Sequence, residues 1–152
     1  RGGLRKRDLS ALMRAISRIV VHHSASPPVS LERIDEWHRE RGFNEIGYHF
    51  VIEAGGVVRL GRALGKTGAH CKGYNTGSIG VCVVGSFENG DPVPAEQWAA
   101  LVSLVADLLR QYGLTVSNVF GHTELGSTLC PGFDPGLLRE ALSNGRPGSD
   151  RI

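Results

Sequence analysis

Gly121-His122-Thr123-Glu124-Leu125-Gly126-Ser127-Thr128-Leu129-Cys130-Pro131-Gly132 is the stretch on which the reading of this chain turns. His122 follows a β-type run, Val116 to Phe120, and Cys130 stands eight residues further on in a loop rich in Gly, Ser and Pro. An imidazole and a thiolate placed in this way reach one point, which is how a zinc site looks in sequence. A catalytic zinc takes three protein ligands and leaves the fourth position for water, so a partner has to come from elsewhere in the chain. The candidates are His22 and His23, at the end of the strand-like Ile19-Val20-Val21. Only one of these neighbours can point to a given face of a sheet, because successive strand side chains alternate.

Working outward, residues 18–23 read as a buried strand. Ser30 is placed to cap a helix over 31–41, with Leu31, Ile34, Trp37 and His38 at helical spacing and Gly42 as its stop. His38 is expected as a surface or packing residue of that helix. Tyr48 to Ala54 and Val57 to Leu60, joined through Gly55-Gly56, predict a β-hairpin. Residues 62–76 form a Gly-rich loop carrying His70, Cys71, Lys72 and Asn75, with few apolar residues, which suits a binding rim. Cys71 is expected to be exposed there, and reads either as a structural or as a reactive thiol. Ser78 to Val84 is a nearly continuous apolar run, as in a central strand covered on both faces, with Cys82 a small core residue. Trp98, Leu101, Val102, Val105, Leu108, Leu109 and Tyr112 recur at three- and four-residue steps, predicting the longest helix from Pro94 to Gly113. Val116 to Phe120 is the last strand, and Pro135 to Leu142 a short terminal helix. Strands interleaved with helices predict an α/β fold, a single domain with a central mixed β-sheet flanked by helices. Its expected span is 19–142, between a basic N-terminal arm at 1–18 and a flexible tail at 143–152.

The composition narrows the function. With 152 residues the chain fits one domain, and 17 Lys+Arg against 15 Asp+Glu give a net charge of +2. That balance is too small to argue for nucleic acid as a partner. No run approaches the roughly 20 apolar residues of a membrane helix, and no signal-peptide pattern opens the chain. Three cysteines, Cys71, Cys82 and Cys130, are too few and odd in number for a disulfide framework. Other zinc patterns fit worse. There is no His-Glu-x-x-His helix, and Cys130-Pro131 lacks the Pro-Cys-x-x-Cys and His-x-Glu of the deaminases.

Several runs carry more than spacing: Val21-His22-His23-Ser24-Ala25-Ser26, Ile34 to Gly42 with its Trp37-His38 pair, Gly47-Tyr48-His49-Phe50-Val51-Ile52, Gly68-Ala69-His70-Cys71-Lys72-Gly73-Tyr74-Asn75, Ser78-Ile79-Gly80-Val81-Cys82, Gly121-His122 and Cys130-Pro131. In this order and with these gaps they resemble the zinc-dependent N-acetylmuramoyl-L-alanine amidases of the type 2 amidase and peptidoglycan-recognition-protein superfamily. They are most similar to the lysozyme-like amidase endolysins of T-odd coliphages. The resemblance spans residues from about 19 to about 138.

The resemblance implies an amidase/peptidoglycan-recognition-type domain that cuts the bond between N-acetylmuramic acid and L-alanine. It implies Zn2+ held by His22, His122 and Cys130, with His23 in the neighbouring, non-ligating position. Tyr48 matches the catalytic tyrosine. Thr128 stands where the phage relatives have a lysine, and where other active members have a threonine that could help hold the oxyanion. His70, Asn75 and Lys72 are the candidate contacts to the muramyl-peptide. The implied partner is peptidoglycan, with no nucleic acid or membrane, for a monomer made in the bacterial cytoplasm and acting on the periplasmic peptidoglycan. The rival expectation is a recognition protein that holds peptidoglycan without cutting it. Non-catalytic members lack the ligand cysteine, and this chain has Cys130. A second rival gives the basic arm, Arg1 to Arg18, a protein partner.

Overall fold

The computed structural model describes residues 14–144. Positions 1–13 of the expected basic arm and 145–152 of the expected tail lie outside the described residues. Five strands and three α-helices follow one another as β1 (Arg18–His23), α1 (Leu31–Glu40), β2 (Phe50–Glu53), β3 (Val57–Leu60), β4 (Ser78–Val83), α2 (Ala95–Tyr112), β5 (Val119–Gly121) and α3 (Pro135–Asn144). The strands make one mixed sheet in the order β3-β2-β4-β1-β5. Only the β2–β3 hairpin is antiparallel; β1 runs parallel to both β4 and β5, and β2 runs parallel to β4. The expected α/β domain with a central mixed sheet is the one that forms.

The order explains the sequence pattern. β4 lies at the centre and every one of its residues is buried, which is why Ser78 to Val83 reads as a continuous run instead of an alternating one. In β1 the side chains divide between the faces. Ile19 and Val21 join the core under α2 and α3, with Val81, Val105, Leu108, Leu138 and Leu142. The opposite face packs α1 through Ile34 and Trp37 against Val51, Cys82 and Val84. Ser30 caps α1 as expected, its side chain accepting the Arg33 N–H at 3.2 Å. The buried Gln97 amide donates to the carbonyls of Ile52 and Val84 at 3.0 and 2.9 Å, satisfying backbone acceptors where β2 and β4 end.

Several boundaries differ from the sequence expectation: β2 covers only Phe50–Glu53, with 54–56 wound into a 3-10 turn, and α3 runs on to Asn144. The last strand begins at Val119 instead of Val116, because Thr115 and Asn118 form a reciprocal cap that winds 116–118 into a 3-10 turn. At the other end, Arg14 is fastened to the domain edge, its guanidinium donating to Leu64 O at 2.6 Å and Ser78 O at 2.8 Å. Cys71 is not exposed as expected but buried, since the loop over 62–76 folds down onto the sheet. Among the described residues no helix is long and apolar enough to cross a membrane.

Candidate metal centre

Parallel strands deliver their loops to one edge, and it is at the carboxyl ends of β1, β4 and β5 that the candidate residues meet. β1 ends in His22 and His23 with opposite orientations. The His22 ring lies on the α1 side, 5.0 Å from the Tyr48 ring and 4.8 Å from that of His122. The ring of His23 turns to the other side, 5.9 Å from Phe87. Its Nδ1 accepts the Phe87 N–H at 3.2 Å and its Nε2 faces Glu88 Oε2 at 3.1 Å. His23 therefore braces the loop after β4.

His122 opens a 3-10 turn directly after β5, and the loop beyond it folds back so that the Thr123 N–H donates to Cys130 O at 2.6 Å. One ligand atom from each of His22, His122 and Cys130 lies within 4.8 Å of the others, a group that could hold a metal ion. Cys130 Sγ is 3.7 Å from His22 Nδ1 and accepts the backbone N–H of His23 at 3.3 Å. Burial pushes the Cys130 thiol up to about 12, an effect the His23 N–H opposes and Glu88 reinforces. Burial holds His22 well below its ordinary value, with His70 and His122 adding to the effect. Two neutral imidazoles and one thiol that would release its proton to solvent on binding a cation are the donor set of a zinc-type site.

The His122 turn is anchored from behind. Glu124 accepts the Gly121 N–H at 3.0 Å and pairs with both terminal nitrogens of Arg139 from α3, at 2.9 and 2.8 Å. Gly121 has to be glycine, since a Cβ there would sit 2.3 Å from Pro135 Cγ. Replacing Arg139 by Met leaves Glu124 half-buried with one partner, and should cost about 1–2 kcal/mol in a urea unfolding curve. Amide exchange at Leu125 and Gly126, which donate to His122 O, should rise further than that loss alone requires. Equal stability in the variant would remove the anchor role.

The cluster sits in a cleft of about 630 Å³ that is also lined by His38, Arg41, Tyr48, His70, Lys72, Asn75, Glu88 and Thr128. All eight site residues expected from the sequence are thus brought to one cleft. Tyr48 is held protonated, since burial raises its phenol well above the ordinary range. Thr128 Oγ1 accepts the Cys130 N–H at 3.2 Å, which leaves its hydroxyl hydrogen to donate. Asn75 Oδ1 accepts the N–H groups of His70 and Cys71, both at 2.8 Å, so its carbonyl end fastens the loop. His70 faces His22, Nδ1 to Nε2 at 2.9 Å, and burial pushes it down to about 3. Lys72 is exposed at the rim.

Glu88 was not singled out by the sequence reading. The available signal was its place just beyond β4, at the edge where parallel strands bring their loops together.

A family model described as N-acetylmuramoyl-L-alanine amidase matches residues 12–133. The chain belongs to this amidase family. The endolysin of Escherichia phage T7 is 40% identical over 123 residues, covering 76% of this chain and 80% of the phage protein. Among solved structures, the N-acetylmuramoyl-L-alanine amidase LysC from Clostridium intestinale URNW superposes with a TM-score of 0.80 at 30% identity, covering 86% of this amidase chain and 87% of LysC. The complex of peptidoglycan recognition proteins LCa and LCx with tracheal cytotoxin superposes with a TM-score of 0.71 at 31% identity, covering 78% and 77%.

Proposed function

We infer that the protein hydrolyses the amide bond between N-acetylmuramic acid and L-alanine in peptidoglycan, with a zinc ion held by His22, His122 and Cys130. The observation that supports this reading is the convergence of those three side chains in a cleft that also holds Tyr48. Zinc, when bound, polarises an amide carbonyl and lowers the pKa of a water molecule beside it. The chain's own residues supply the rest. Tyr48, kept protonated, donates a hydrogen bond toward the oxyanion that develops as the amide carbonyl is attacked. Thr128 donates its hydroxyl hydrogen to the same oxyanion, more weakly than an ammonium would. Lys72 and the Nδ2 end of Asn75 contact the muramyl-peptide at the rim. The protein works as a monomer on peptidoglycan reached from the periplasm.

Preorganised donors aimed at a developing oxyanion are worth about 3 kcal/mol each. Tyr48→Phe, which keeps the ring and removes the hydroxyl, should therefore lower kcat on peptidoglycan on the order of 10²-fold with KM little changed. Unchanged kcat would take Tyr48 out of the reaction.

The reading as a whole is tested on purified Gram-negative sacculi by counting released muramyl-peptide ends. Chelator should stop release and zinc should restore it. Sacculi that bind the protein yet yield no new ends would establish the rival reading, recognition without cutting.

A further inference from the structure

We propose that His70 is a positioning residue of the metal centre: its Nδ1 accepts the Nε2–H of His22, fixing the tautomer in which His22 offers Nδ1 to the metal ion. The inference rests on the zinc reading above and adds to it a residue outside the ligand set. The two rings stand edge to face with centroids 4.9 Å apart, and the nitrogens that meet are His22 Nε2 and His70 Nδ1, at 2.9 Å. The other nitrogen of His22 is the one turned to Cys130 Sγ, 3.7 Å away.

A neutral imidazole carries one proton and can place it on either nitrogen. With the proton on Nδ1, His22 has no lone pair to give beside Cys130. With the proton on Nε2 it has one, and that proton needs an acceptor because His22 is only 1% exposed. Among the described residues His70 Nδ1 is the acceptor it meets. Metal-ligating histidines are generally oriented in this way by a hydrogen bond from the second nitrogen.

The remainder of the loop holds His70 to this task. Its ring packs against Gly80 of β4, where a Cβ would come within 2.6 Å of the ring atoms. Its backbone N–H is tied to Asn75 Oδ1. Its own Nε2 is buried with no protein partner among the described residues.

The test is the zinc dissociation constant, measured by competition with a chromophoric chelator, beside the melting temperature of each metal-free variant. His70→Ala should weaken zinc binding by about 10- to 100-fold, the usual effect of removing such a partner. His70→Asn places a carboxamide oxygen where Nδ1 stood and should restore the wild-type constant, which a merely space-filling role would not require. Zinc affinity in His70→Ala equal to that of the wild type overturns the inference and leaves the zinc reading standing. Should the alanine variant fail to fold, a 10-fold or greater loss in a folded His70→Asn overturns it as well. If the wild type takes up no zinc, the zinc reading itself fails and the inference falls with it.

Discussion

Cys130→Ser is expected to abolish release of muramyl-peptide ends and to lose stoichiometric zinc. The thiol is the one group in the cluster able to contribute a negative charge, since His22 and His122 are both held toward the neutral form by burial. Without a cation its proton stays on, pushed up to about 12. Zinc uptake by the wild type at neutral pH should thus release about one proton per site, measurable in weakly buffered solution. A serine hydroxyl gives up its proton far less readily, so the variant should release none. The accompanying loss of carbonyl polarisation is worth several kcal/mol, on the order of 10³-fold or more in kcat/KM. The backbone of the variant should survive, because the His23 N–H can donate to the serine oxygen as it does to Sγ. A variant that still cuts sacculi at a tenth of the wild-type rate would exclude Cys130 from the ligand set.

Acid should unfold the protein earlier than its surface charges suggest. His38 and His49 each use Nδ1 to accept a buried backbone N–H, from Gly47 at 2.8 Å and Gly80 at 3.0 Å. His49 also faces Lys66 O through Nε2 at 2.8 Å, so the neutral Nε2–H form satisfies both contacts. Protonation at Nδ1 would replace an accepted hydrogen bond by a clash of two donors. Burial lowers both rings from 6.5 to about 4. Between those two values the unfolded chain binds protons that the folded chain refuses, and stability falls as pH is lowered through the window. From pH 7 to pH 5 the two together should cost about 3 kcal/mol, or roughly 10 °C in melting temperature, and in the metal-free protein His22 and His70, also held low by burial, add to that loss. His38→Asn offers Gly47 a carboxamide oxygen that does not titrate and should flatten the slope. A melting temperature that does not move between pH 7 and pH 5 would contradict this account.

Much of this was legible in the sequence for local reasons. Ile19-Val20-Val21 announces a buried strand, Ser30 a helix start, and Ser78 to Val83 a strand covered on both sides, because burial and capping write themselves into neighbouring residues. The meeting of His122 and Cys130 was legible because they share one loop. What escaped was set by contacts between distant segments. His70 reads as a rim residue in its Gly-rich loop, and its approach to His22 depends on that loop lying down over Gly80. Glu88 meets His23 only because β4 pairs with β1. Thr115 and Asn118 shortened the last strand through a side-chain cap that competes with strand pairing, and apolar periodicity does not register such caps.

The parallel pairing of β1 also orders events in time. Ile19 pairs with Ile79 on one side and with Val119 on the other, so the strand that leads the described fold lacks both neighbours until most of the domain has been synthesised. Pairings so far apart in sequence close slowly. No nascent chain that stops short of Cys130 can bring together His22, His122 and the thiol. The centre is completed only with the end of the domain, and a prematurely terminated product would be inert toward the wall.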